Sequence, residues 1–197
     1  MKKFEKDLRI IIDFLEKSNI PYYVNAGCAL VSHGIKGETD DFDIRIYFKD
    51  IKGLFFELKK KLAGKFKLYY HRKYSRGFYD NFCITYSNLG KFDIYGKMVA
   101  NCDLGKFVFP FKKESFENAK IKKFGLLKLP VASLEELLLY YLVCRRYEKS
   151  KNDELHIKEI LSHKRFSLKI FKNLIKEHPK KEKIKKLLEE RMNKFRY

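Results

Sequence analysis

The chain has 197 residues, of which 45% are hydrophobic and 16% aromatic, and 44 Lys and Arg against 25 Asp and Glu give it a formal charge of +19. This composition excludes a disordered polymer, and no apolar run approaches the ~20 residues that span a bilayer. A cation excess this large points to a polyanionic partner such as RNA or DNA, or to a triphosphate alone, on top of an ordinary lysine-rich solvated surface.

In chain order, Phe4, Leu8, Ile11, Ile12 and Leu15 recur at helical spacing and predict an amphipathic helix over residues 3 to 18, ended by Asn19. Its charged start lacks the apolar core and cleavage site of a signal peptide, so a cytoplasmic protein is expected. Its scattered Cys28, Cys83, Cys102 and Cys144 are then reduced thiols. Residues 21 to 25 read as a short strand, and Gly27 allows a tight turn into a short helix that ends near Gly34. A strand follows over about 41 to 48, then a helix capped by Asp50, with Ile51, Leu54, Phe55, Leu58 and Leu62 on its buried side. Aromatic and β-branched residues with intervening turn signals predict strands over about 66 to 73, 79 to 86 and 91 to 97. Short strands near 106 to 110 and 121 to 129 around a polar loop are expected next. From Pro130 the pattern is helical: a helix over 134 to 143 with a Ser133–Glu136 capping box, a charged turn, and helices over 153 to 161, 167 to 176 and 179 to 195. The expected organisation is a mixed α/β half, residues 1–129, followed by a helical bundle, residues 130–197.

The chemistry concentrates in Gly34-Ile35-Lys36-Gly37-Glu38-Thr39-Asp40-Asp41-Phe42-Asp43-Ile44. Residues two apart in a strand share a face, so Asp41 and Asp43 project side by side while Phe42 and Ile44 take the other face. Adjacent carboxylates repel, and a cation between them relieves the repulsion. Asp93, in Phe92-Asp93-Ile94, is a third acid in an apolar strand. The five histidines are dispersed, and no Ser/His/Asp or Cys/His set is evident.

Tyr23-Val24-Asn25-Ala26-Gly27-Cys28-Ala29-Leu30, then Gly34, Thr39-Asp40-Asp41-Phe42-Asp43 and the later Asp93, resemble the signature of the DNA polymerase β-like nucleotidyltransferase superfamily. The helical tail around Ser133 to Leu137 and Arg145 to Ile157 looks like that of minimal, abortive-infection toxin-type members. The resemblance implies a nucleotidyltransferase-like mixed sheet and two-metal transfer of NMP from an NTP to an acceptor hydroxyl. Asp41, Asp43 and Asp93 would be the catalytic and metal-binding residues, holding two Mg²⁺ ions, with Mn²⁺ as the alternative. Nucleotide binding would fall to Gly27, Cys28, Lys36, Thr39, Lys149 and Lys151. RNA, with a tRNA end as one candidate, is the acceptor that the charge favours; a protein side chain or an antibiotic is the alternative, and an antitoxin is a possible partner. Cys28 in place of a serine and Gly37 in place of an arginine motivate a second reading, a silent relative that binds nucleic acid or a partner.

Overall fold

The computed structural model describes residues 2–39, 41–61, 68–73, 81–87, 91–102, 104–117, 119–144 and 150–195; for 2–7, 41, 71–73, 81–87, 91, 101 and 150 it describes the backbone alone. The elements are α1 (Lys2–Lys17), β1 (Tyr22–Asn25), α2 (Ala26–His33), β2 (Asp41–Ile46), α3 (Ile51–Lys61), β3 (Leu68–Lys73), β4 (Asn81–Ser87), β5 (Lys91–Tyr95), β6 (Val99–Cys102) and β7 (Gly105–Val108). They continue with α4 (Lys113–Glu117), β8 (Lys120–Phe124), β9 (Leu127–Val131), α5 (Leu134–Val143), α6 (Ser150–Ser162), α7 (Leu168–Ile175) and α8 (Lys181–Phe195). No helix among the described residues is long and apolar enough to cross a membrane.

Seven strands form one mixed sheet in the order β3-β4-β5-β2-β1-β9-β8, and β6 and β7 make a separate hairpin. β2 runs parallel to β5 and β1 parallel to β9; the other pairs are antiparallel. The alternation in β2 decides its faces. Phe42, Ile44 and Ile46 are buried with Phe92 and Ile94 of β5. Phe42 stacks on Phe92 at 5.2 Å and meets the edge of Phe124 at 5.0 Å. Each such side chain contributes about 1.5–3 kcal/mol on leaving water. Leu8, Ile11 and Leu15 of α1, Leu30 of α2, and Leu54 and Leu58 of α3 join the same core.

Local signals set the boundaries. Asp50 caps α3, its Oδ1 accepting the Gly53 N–H at 2.8 Å. Ser133 Oγ accepts the Glu136 N–H at 3.1 Å, and Glu136 Oε2 accepts the Ser133 N–H at 3.3 Å, closing the expected capping box at the start of α5. α5 is buried on nearly every side because α6, α7 and α8 pack around it. This is the bundle that its apolar sequence predicts.

Residues 98 to 130 differ from expectation. Instead of two short strands around a loop, the chain makes the β6–β7 hairpin, the single-turn helix α4 and the β8–β9 hairpin. Gly105 at φ 71° and Gly125 at φ 58° make the left-handed turns that permit both hairpins. Gly125 therefore splits what reads as one strand over 121 to 129. Pro130 lies inside β9, and Pro179 sits in the turn before α8 rather than in its first turn. α6 starts at Ser150, earlier than expected. The first residues of the expected strands at 66 and 79, and of the charged turn at 145, lie outside the described residues.

α2 ends in a titratable contact. His33 Nε2 lies 2.9 Å from the Ala132 carbonyl, which makes it the protonated ring nitrogen. Burial, aided by nearby Lys122, His163 and Arg165, lowers the His33 pKa to about 4, against the donated hydrogen bond, which favours the charged form. The unfolded chain takes up a proton near pH 6.5 that the folded chain refuses until about pH 4. Stability from this residue is therefore complete above pH 6.5 and falls as the pH drops through that window. The melting temperature of His33→Gln, which keeps a donor for Ala132, should decline less between pH 7 and pH 4.5 than that of the parent; equal declines would disprove the assignment.

Candidate active site

β2 and β5 are paired so that Asp43 stands opposite Asp93, with Phe42 opposite Phe92 and Ile44 opposite Ile94. Partners in a parallel register share a face, and neighbouring strands lie about 4.8 Å apart. The apolar members of this ladder stack in the core, so the two carboxylates emerge together on the other face. Asp93 is buried and Asp43 half-buried. Asp41 occupies the first position of β2, opposite Lys91, and its side chain lies outside the described residues. No group of three His, Cys, Asp or Glu is clustered as a metal site among the described residues.

The same face carries a polar row that the motif does not contain. Asn25 on β1 is the register partner of Asp43, and Tyr23 is the partner of Arg45. Asn25 Nδ2 donates to Tyr95 Oη at 3.0 Å. Burial, and then the Asp43 charge, push the Tyr95 hydroxyl well above its ordinary pKa, so it stays protonated. Arg45 follows Asp43 by two positions and is 4% exposed. Its Nη1 donates to Tyr23 Oη at 2.9 Å, Nη2 to the Pro110 carbonyl at 2.8 Å, and Nε to the Gly96 carbonyl at 3.4 Å. Its guanidinium lies 5.6 Å from the Phe111 ring centroid and 5.9 Å from that of Phe116. Tyr23 Oη in turn donates to Glu136 Oε1 at 3.3 Å. Burial raises the Glu136 pKa and Arg45 opposes the rise. A buried cation beside the carboxylate pair is thus balanced by a carboxylate of α5.

Strand period two places Arg45 on the Asp43 face, so this residue was accessible to sequence reasoning. The link from Tyr23 to Glu136 joins positions 113 apart and leaves no local signal.

The strand-to-helix turn adjoins the pair. Asn25 is extended (φ −127°, ψ −176°) and Ala26 is left-handed at φ 45°. The Asn25 side chain, engaged with Tyr95, does not cap α2. Gly27 is half-buried and Cys28 buried at the opening of the helix. A left-handed alanine costs about 1–2 kcal/mol, a strain of the kind that sites hold in place. Ala26→Gly relieves it at the expense of roughly 0.4–1 kcal/mol of unfolded-chain entropy. Urea unfolding should accordingly show a gain of up to ~1 kcal/mol; a loss would mean that the alanine methyl makes packing contacts worth more than the strain.

The remaining expected nucleotide-binding residues are dispersed. Lys36 and Thr39 are half-buried in the segment between α2 and β2. Lys151 is exposed in the first turn of α6, and Lys149 lies outside the described residues.

No protein-family model matches the chain, and no curated protein matches it by sequence. Among solved structures, the chain is similar to a putative nucleotidyltransferase from Thermotoga maritima, with a TM-score of 0.54 and 18% identity over 72% of this chain and 84% of that one. It is also similar to the antibiotic-resistance factor ANT(2'')-Ia, with a TM-score of 0.52 and 13% identity over 99% of this chain and 95% of that one.

Proposed function

We infer, from a chain that has the nucleotidyltransferase fold, an enzyme that transfers a nucleotidyl group from an NTP to an acceptor hydroxyl. The observation that carries this reading is the register pairing of Asp43 with Asp93. Two carboxylates held side by side beside a strained strand-to-helix turn suit a hard divalent cation. Their oxygens fit magnesium by donor chemistry, so Asp43 and Asp93, with Asp41 before them on β2, are the residues that would hold it. When bound, magnesium or manganese offsets the triphosphate charge and eases deprotonation of the acceptor.

The chain's own groups do the rest. The backbone N–H groups of Gly27 and Cys28, at the start of α2 and uncapped by Asn25, orient the β and γ phosphates. Lys36 and Thr39 in the α2–β2 segment, Lys151 in the first turn of α6, and Lys149 are the further side chains that would bind the nucleotide. Asp93 accepts the acceptor hydroxyl's proton. A bond forms between that oxygen and the α-phosphorus, the bond from the α-phosphorus to its bridging oxygen breaks, and pyrophosphate leaves with the electron pair. Asn25 and Tyr95 fix the neighbouring face, and Arg45 keeps β2 anchored behind Asp43.

RNA is the acceptor that the +19 charge supports best. A small hydroxylated compound is the second reading, favoured by the likeness to an antibiotic-resistance factor. Incubation with α-labelled NTPs, Mg²⁺ and either total RNA or an aminoglycoside separates them. Label on RNA supports the first, and label on the small molecule the second. RNA binding without transfer to anything, unchanged in Asp43→Asn, would leave a binding module and overturn the enzyme.

A further inference from the structure

We propose that the cavity enclosed by β8, α4, α5 and α7 is a second ligand site, one that takes a small organic phosphate. It does not depend on the reaction inferred above. The cavity has a volume of about 700 Å³, within the roughly 300–1,000 Å³ of small-molecule sites. It lies over β9 and β8, whereas Asp43 and Asp93 stand on β2 and β5, and β1 runs between. Glu136 forms part of its wall, with its carboxylate turned away to the Tyr23 hydroxyl.

The lining holds three cations and three carboxylates that form no ion pair with one another. Lys120 and Lys122, two apart on β8 and so on one face, meet Arg165 from the α6–α7 connection. None of the three forms an ion pair among the described residues. The α5 carboxylates of the wall face other donors: Glu135 accepts the Ser167 N–H at 2.8 Å, and Glu136 accepts from Ser133 and Tyr23. Glu114, the third acid of the lining, is exposed on α4. Lysines on an edge strand ordinarily guard it against pairing by reaching water. Lys122 is instead half-buried, and burial together with Arg165 and Lys120 disfavours its charge. The Arg165 segment is fixed: its N–H donates to His163 Nδ1 at 3.1 Å, and the Phe166 N–H to the His163 carbonyl at 2.9 Å.

Two ammonium groups and a guanidinium fork on one cavity wall, none of them in an ion pair among the described residues, match a doubly charged phosphate better than a single carboxylate. The floor is apolar. Val131 and Leu134 are buried there, and Ile170 is left 54% exposed at the rim. The ligand that satisfies both parts carries a phosphate on an apolar or aromatic body.

1-Naphthyl phosphate is the probe, titrated by fluorescence into the full chain in EDTA at low salt. Saturable one-to-one binding is expected, about tenfold weaker in Lys122→Gln and in Arg165→Gln and unchanged in Asp43→Asn. 1-Naphthol and inorganic phosphate should each bind at least ~10-fold more weakly. Absence of saturable binding, an affinity in both glutamine variants equal to the parent's, or loss in Asp43→Asn overturns the proposal. So does a short RNA that binds through Lys122 and Arg165 while the naphthyl probe does not, since the face is then a polymer surface.

Discussion

Asp43→Asn and Asp93→Asn should each reduce nucleotidyl transfer about 1,000-fold or more while leaving the fold intact. The amide keeps the shape of the carboxylate and removes its charge. Losing about 4 kcal/mol of charge stabilisation in the transition state accounts for three powers of ten. Stability should move the other way or not at all, because two facing carboxylates repel and one amide relieves them. The measurement is paired: label transfer from NTP, and the urea midpoint of the same preparation. A variant that retains more than a tenth of its activity with an unchanged midpoint would remove Asp43 or Asp93 from the chemistry. Loss of both activity and midpoint would make the pair structural.

Arg45→Ala should destabilise the protein by about 3–5 kcal/mol, the usual cost of leaving one member of a buried charge pair alone. Here the abandoned partner is Glu136, reached through Tyr23, and the carbonyls of Pro110 and Gly96 also lose their donor. Folded proteins hold only about 5–15 kcal/mol in all, so the variant should unfold at a much lower urea concentration with an unchanged slope. Arg45→Met combined with Glu136→Gln should recover more than half of the loss, because both charges go together and the volume is kept. If the double variant is as unstable as the single one, the carbonyl contacts rather than the charge balance carry the effect.

What could be read in advance follows a physical division. Helices α1, α3, α5, α7 and α8 announce themselves by apolar stripes and caps, and β2 by its alternation. The three acids were visible as residues, but the register that sets Asp93 beside Asp43 was not. It depends on β5 choosing β2 as a parallel neighbour across 50 positions, and no local pattern encodes that choice. The β6–β7 and β8–β9 hairpins were hidden for another reason. Their strands have four or five residues, β7 and β8 each bury a single side chain, and so neither period two nor period 3.6 accumulates. Arg45 is a buried charge in an apolar strand, and nothing near it in sequence accounts for it. Its reason is Glu136, supplied by a helix whose capping box was legible while its second task, receiving the Tyr23 hydroxyl, was not.

The Arg45–Tyr23–Glu136 chain also governs how this molecule can be dissected. The positive member belongs to the sheet and the negative member to the bundle, so neither half is electrically whole by itself. A fragment stopping at residue 131 would retain every acid of the candidate site and still expose an orphaned guanidinium in its interior. Expression of that fragment alone is therefore a poor route to a minimal catalyst. Co-expressing the two pieces, so that each finds the other's charge, is the sounder one.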